Sequence, residues 1–316
     1  MTLLYYDPVF LEHDTGDHPE NAARILPTIR HLNQIAMHAK CTRPSWTEVS
    51  SDRLRAVHAS DYIDSVAEFA EQGGGYIEQD TVLCPQSYRV ARMAAGAVCD
   101  AVKRVVSGEE NQAFCLVRPP GHHALANSAM GFCLFNNVAV GARLAIDELG
   151  LDRVLIVDWD VHHGNGTQAI FWEDGQVGFL SIHRSPFYPG TGAADETGAG
   201  AGLGTTLNLP TTYGTPREEY LARFSSELER FADLIKPQLV LISAGFDAHR
   251  EDAVGSLGLE SEDFGTLTRI VLDIASMHAN GRVVSVLEGG YNPVALMESV
   301  EHHLLEMLSN AHTEPR

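Results

Sequence analysis

Hydrophobic positions along the 316-residue chain fall into two alternating patterns. Short runs that are apolar at nearly every position are separated by longer segments whose apolar residues recur at helical spacing. The short runs predict strands over residues 3–6, 113–117, 154–157, 177–182, 205–209, 239–243 and 283–287. The longer segments predict helices that include 20–39, 87–107, 135–149, 216–235, 261–279 and 293–308. Thr215, ahead of Pro216, and Ser261, ahead of an acidic first turn, read as N-caps. Strands with no polar face must be covered on both sides. The alternation therefore predicts an α/β fold, a mostly parallel central sheet with helices on both faces. No Ser/Pro-rich linker and no internal repeat interrupts the pattern, and residues 1–316 are expected to form a single domain.

Sheets of this kind bind ligands in the loops beyond the carboxyl ends of their strands. The polar, glycine-rich segments 118–123, 158–166, 183–190, 244–249 and 288–291 each follow a predicted strand, which puts five reactive clusters on one edge. The densest carries Asp158, Asp160, His162 and His163. Asp160 and His162 are one residue apart, so on extended backbone both side chains face the same way. They offer an oxygen and a nitrogen to one cation, and Asp247, from a different strand, is the natural third ligand. Three protein ligands leave a position open, the arrangement of a catalytic zinc site, and the same donors also suit Fe(II) or Mn(II). On its own Asp247 is as readily a helix cap. His122 and His123 sit on a rigid Pro-Pro-Gly turn and can divide base and acid work around an activated water. Adjacent loop histidines are nevertheless more often just solvated. Tyr291, after two glycines, can bring a phenol to a developing oxyanion, although a strand-to-helix loop has the same composition.

Composition narrows the picture. The formal charge of -20 excludes a basic nucleic-acid surface. It fits simple solubility, or attraction of cationic substrates such as polyamines and lysine-rich peptides. No apolar run is long enough to span a bilayer, no cleavable leader precedes the first strand, and a cytoplasmic location is expected. The five cysteines (Cys41, Cys84, Cys99, Cys115, Cys133) show no paired metal spacing and read as reduced.

Six motifs together carry a resemblance. They are RPPGHH at 118–123, GFCLFNN at 131–137, DWDVHHGNGTQ at 158–168, SIHR with FYPGTG between 181 and 192, SAGFDAH at 243–249 and EGGY at 288–291. In this order, and with HPENAAR at 18–24, they resemble the zinc-dependent histone deacetylase superfamily. That superfamily includes acetylpolyamine amidohydrolases and bacterial deacetylase-like amidohydrolases. The resemblance implies an arginase/deacetylase-like fold and removal of acetyl or other short acyl groups from acylated lysine side chains or related alkylamines. It implies zinc on Asp160, His162 and Asp247, with Fe(II) an alternative in the cell. His123 would be the general base and then the acid. His122, held by Asp158, would orient water, and Tyr291 would bond the scissile carbonyl. A structural potassium ion would take Asp158, the backbones of Asp160 and His162, Ser181 and the Ile182 backbone. Phe132 and Tyr188 would flank a narrow tunnel.

Asn165 stands where many class I members carry Asp as partner of the second histidine, so His123 should be less basic than with a carboxylate. Together with the His183-Arg184 pair it resembles the class II branch. Val254 occupies the position at which a polyamine-selective branch carries a Glu gate. Glu251 and Asp252 lie nearby and read as a solvated acidic loop. His163 reads as structural. Three other readings remain: an acetylpolyamine amidohydrolase, an arginase-like manganese hydrolase and a non-catalytic acyl-lysine reader. Intact His122, His123 and Tyr291 argue against the last. An oligomer is compatible with all of these.

Overall fold

A computed structural model describes residues 1–310. Residues 311–316, the end of the expected 1–316 domain, lie outside the described residues. The strands are β1 (Thr2–Tyr5), β2 (Cys41–Thr42), β3 (Gly75–Glu78), β4 (Thr81–Leu83), β5 (Gln112–Cys115), β6 (Val154–Asp158), β7 (Val177–Arg184), β8 (Thr206–Thr211), β9 (Leu239–Ala244) and β10 (Val283–Leu287). The α-helices are α1 (Leu26–Gln34), α2 (Ser51–Arg55), α3 (Ser60–Glu71), α4 (Ser87–Ser107), α5 (Asn137–Asp147), α6 (Asn165–Phe171), α7 (Arg217–Ile235), α8 (Ser261–His278) and α9 (Pro293–Asn310).

Eight strands form one parallel sheet in the order β2-β1-β5-β10-β9-β6-β7-β8, and β3 pairs with β4 as a separate hairpin. The central strands are buried along their whole length, as apolar runs without a polar face require. Helices α4 and α5 pack together over β5, β10, β6 and β9, while α7, α8 and α9 form a second layer on the sheet. Register brings the chemistry together: Asp158 at the end of β6 sits level with Ser181 of β7 and Ser243 of β9, and Ala244 sits level with Leu287. Every motif loop therefore leaves the sheet at one edge.

The expected strands appear within a residue or two. The expected helix over 20–39 is instead the short α1, between 3-10 turns at Ala22–Arg24 and Met37–Lys40. Glu20 and Arg24 turn into the protein interior to meet Arg118 and each other, so the chain bends there rather than continuing as a helix. At the other end Ala36 adopts a left-handed φ of 53°. Two caps also differ. Pro216 itself occupies the N-cap of α7, and the Thr215 hydroxyl donates to the Thr212 carbonyl. Glu260, not Ser261, caps α8 through a reciprocal pair with Asp263. The small elements β2, α2, α6 and the β3–β4 hairpin carry patterns too short to stand out from the sequence, and the 12-residue α3 is a helix the sequence pattern did not predict.

Candidate active site

Beyond β6 the chain turns at Asp160 and His162, and beyond β9 at Asp247. Their donor atoms lie within 4.8 Å of one another and all three residues are buried. His162 Nδ1 is 3.0 Å from Asp160 Oδ1 and 3.2 Å from Asp247 Oδ2. Backbone amides hold the remaining oxygens. Asp160 Oδ2 accepts from Gly289 N at 2.8 Å, and Asp247 Oδ1 accepts from Val161 N at 2.8 Å. Asp247 Oδ2 has no hydrogen-bond donor despite its burial. Beside these carboxylates any Cβ at Gly245 or Gly289 would overlap an Asp160 or Asp247 oxygen, so both glycines exist for close approach. Burial opposes charge on the His162 imidazole, yet the Asp160 and Asp247 carboxylates beside it raise its pKa to about 9. Burial, reinforced by the charge of Asp160, raises Asp247 to about 7. Despite burial, the neighbouring His122 and His162 hold Asp160 well below the ordinary carboxylate range. An ionised carboxylate thus sits beside a carboxylate and an imidazole that cling to a proton, a donor set suited to a divalent cation. The residues fit a metal.

The two histidines of the β5–α5 loop are buried and sit with ring centroids 4.0 Å apart, but their partners differ. His122 Nδ1 donates to Asp158 Oδ2 at 3.0 Å. Burial works against its imidazolium, but the charges of Asp160 and Asp158 prevail and leave its pKa well above the ordinary value. His123 Nδ1 donates to Asn165 Oδ1 at 2.7 Å, which leaves Nε2 with a free lone pair. Burial, with the neighbouring His122 and His162 rings, holds His123 well below its ordinary value. One imidazole is thus a standing cation and the other a neutral acceptor.

Aromatic rings enclose these groups. Tyr188 stands edge-on to His123 at 5.3 Å, and Phe132 edge-on to Tyr291 at 5.7 Å. Phe187 stacks on His162 at 5.2 Å, nearly parallel. Phe132 takes a left-handed φ of 70°, fixed by its N–H on Thr81 Oγ1 and by Gly131 N on Asp80 Oδ1. The Tyr188 hydroxyl donates to Asp80 Oδ2 at 3.1 Å, so the β3–β4 turn braces both walls. Tyr291 is partly buried, with the Arg24 guanidinium 4.9 Å from its ring centre. Ser181 and Ile182 are buried within β7, Ser181 level with Asp158. Val254 remains partly exposed, its N–H bound by Asp252 Oδ1.

Sequence reasoning missed several carboxylates and their counterions. Asp252 is not a solvated loop acid. It is buried, and its Oδ2 accepts from Tyr291 N at 2.6 Å and Asn292 N at 3.2 Å, so it caps the tyrosine turn. Glu288 accepts from Gly121 N and His122 N at 2.7 and 3.1 Å, fixing the histidine turn, and burial raises its pKa to about 7. Below both loops Arg118 and Arg24 share the buried Glu20 carboxylate. Arg24 also donates to the carbonyls of Glu288 and Gly290. The HPENAAR, RPPGHH and EGGY segments contained Glu20, Arg24, Arg118 and Glu288, but nothing in their spacing revealed the partners. His163 is buried between Thr191 and Gln168, at 2.8 and 3.0 Å, away from the metal cluster.

The histone deacetylase domain family matches residues 18–307. A histone deacetylase-like amidohydrolase of Pseudomonas aeruginosa is 36% identical over 310 residues, covering 92% of this chain and 82% of that protein. An uncharacterized protein of Synechocystis is 39% identical over 312 residues, covering 98% of this chain and all of the relative. Among solved structures, the HDA15 HD domain superposes with a TM-score of 0.93 at 36% identity, covering all of this chain and 90% of that one. With a matching domain over most of its length and relatives that share its full fold, the chain belongs to the histone deacetylase family.

Proposed function

We propose that the protein is a zinc-dependent amidohydrolase that removes acetyl or other short acyl groups from acylated lysine side chains. The observation that carries this reading is the pairing of a cation-seeking Asp160–His162–Asp247 cluster with two buried imidazoles whose Nδ1 partners differ, a carboxylate for His122 and an amide for His123. A divalent ion held there supplies Lewis acidity toward an amide carbonyl and makes water a better acid. Fe(II) suits the same donors.

The chain's own groups supply the rest. The aromatic walls of Phe132 and Tyr188 admit an extended alkylamine and exclude bulk water. His123 takes the proton of the attacking water at Nε2, because Asn165 keeps the other proton at Nδ1. His122, cationic through Asp158, stabilises negative charge as it grows on the carbonyl carbon's substituents. The Tyr291 phenol donates to the carbonyl oxygen, and His123 returns its proton to the leaving amine. A potassium ion would take Asp158, Ser181 and the backbones of Asp160, His162 and Ile182. Ser181 suits that role. His183 Nε2–H is committed to the Gly192 carbonyl, so the Ser181 hydroxyl donates to His183 Nδ1 and its oxygen lone pairs stay free.

Acetylated lysine is favoured over acetylated polyamine because no carboxylate is supplied at Val254. Of the two nearby acids, Asp252 is committed to four backbone amides and Glu251 is an exposed loop residue. The test is turnover of a fluorogenic acetyl-lysine peptide and of acetylpolyamines, with and without chelator. Chelator-sensitive release of acetate from the peptide is expected. Absence of such turnover on every acyl-lysine and acetylpolyamine substrate would overturn the proposal.

A further inference from the structure

Arg184, the last residue of β7, is surrounded by an unusual set of partners. No carboxylate pairs with it among the described residues of this acid-rich chain. Instead its guanidinium lies between two rings, 4.1 Å from the centre of Phe187 and 4.7 Å from that of Tyr213. Its Nη1 donates to the carbonyls of Gly255 and Ser256 at 3.1 and 3.3 Å. Its backbone N–H donates to the Val161 carbonyl at 2.8 Å.

Three of these contacts, with Val161, Phe187 and Ser256, lead to a metal-ligand segment. Val161 lies between Asp160 and His162. Phe187 stacks on the His162 ring. Ser256, in a left-handed conformation at φ 72°, donates its N–H to the Asp247 carbonyl at 2.7 Å. We propose that Arg184 is a positioning residue that clamps the two ligand-bearing loops together and presses Phe187 against His162, so that it sets how tightly the site retains its metal. The inference rests on the metal site of the proposed function and adds to it a residue that touches neither metal nor substrate.

A planar guanidinium is what this position requires. It can stack between two rings while its edge meets two carbonyls, whereas an ammonium offers a point charge without a flat face. Groups that orient a ligand from outside typically change metal affinity about 10- to 100-fold when removed. Phe187 acts on the face of the imidazole, and its loss should act through the same ring.

The experiment measures the rate at which zinc-loaded protein gives up its metal to excess chelator, followed with a metallochromic dye and checked by circular dichroism. For R184M the rate should rise about tenfold. R184K should lie nearer R184M than the parent, and F187L should also accelerate loss. Because Arg184 works partly through Phe187, the R184M/F187L pair should lose metal more slowly than the product of the single effects predicts. If R184M does not fold, R184K and F187L carry the same comparison. Metal loss from folded R184M within about twofold of the parent, or full restoration by Lys, would overturn the clamp while leaving the metal site intact. A fully multiplicative double variant would overturn transmission through Phe187. A parent protein that binds no zinc would overturn this inference together with the proposed function.

Discussion

Replacing Asn165 with Asp tests the assignment of the base most directly. The amide oxygen accepts the Nδ1 proton of His123 at 2.7 Å, and the Asn165 amide nitrogen donates only weakly, to Met130 Sδ at 3.4 Å. Asp keeps the shape and the acceptor but turns a dipole into a charge. With about 4 Å between charge centres and an effective dielectric constant of about 20, the attraction to an imidazolium is about 4 kcal/mol. Against this, the new carboxylate gives up some of its own hydration and joins Asp158 and Asp160 in one acidic corner. With about 1.5 kcal/mol remaining, the pKa of His123 rises by about one unit. A base acts only when unprotonated, so a higher pKa keeps it blocked to higher pH, and the acid limb of kcat/KM moves in the alkaline direction. A bound cation acts on parent and variant alike and leaves the difference unchanged. The assay is kcat/KM for an acetyl-lysine peptide across about pH 5 to 9 at saturating metal. An acid limb that stays within about 0.3 unit of the parent, or moves to lower pH, would refute the reasoning.

Three further outcomes are expected. Tyr291→Phe should lower kcat by roughly a hundredfold or more, the typical value of one oxyanion donor, with metal content unchanged by elemental analysis; unaltered turnover would remove the phenol from the reaction. Gly289→Ala should expel the metal from a folded protein, because the new Cβ overlaps the Asp247 and Asp160 carboxylates, and full retention would show that the loop can yield. Glu20→Gln probes buried charge. Burial alone would raise the Glu20 pKa, but Arg118 outweighs it and lowers the value from the ordinary 4.5 to about 2. A depressed carboxylate stabilises the fold above its unfolded pKa and loses that contribution as pH falls through the folded one. At about 1.4 kcal/mol per pKa unit it contributes about 3 kcal/mol at neutral pH, lost between about pH 4.5 and 2. Urea titrations should therefore show Glu20→Gln less stable at pH 7 and flatter over that acid range, and a variant with the parent's acid dependence would contradict the assignment.

What could be read from the sequence follows a physical division. A strand buried on both faces must be apolar at nearly every position, and so β6, β9 and β10 stood out within a residue of their ends. Helix α1 did not, because its limits are set by where Glu20 and Arg24 must go rather than by apolar spacing. Interior charge outranked periodicity there. The hairpin β3–β4 buries only Thr81 and Leu83, both on β4, and its value lies in bracing Phe132 and Tyr188, which local pattern does not record.

The same division separates reacting groups from their supports. Metal ligands and paired imidazoles are demanding in residue type, and two of the ligands share one strand end, so spacing alone suggested Asp160 with His162. A support needs only to be an acceptor or donor of sufficient reach, and its partner can come from anywhere in the chain. Asp252 meets Tyr291 across 39 residues, Glu20 meets Arg118 across 98, and Arg24 meets Gly290 across 266. Beside an exposed Glu251, Asp252 has no local mark of difference, yet it takes the Tyr291 and Asn292 amides at the turn that carries the phenol. Its burial follows from that role, because backbone N–H groups that must face inward need an acceptor there, and a carboxylate with two oxygens can satisfy four at once. The loop's acidity therefore reflects the geometry of Tyr291 as much as the solvent, and the overall charge of -20 conceals carboxylates that never meet water.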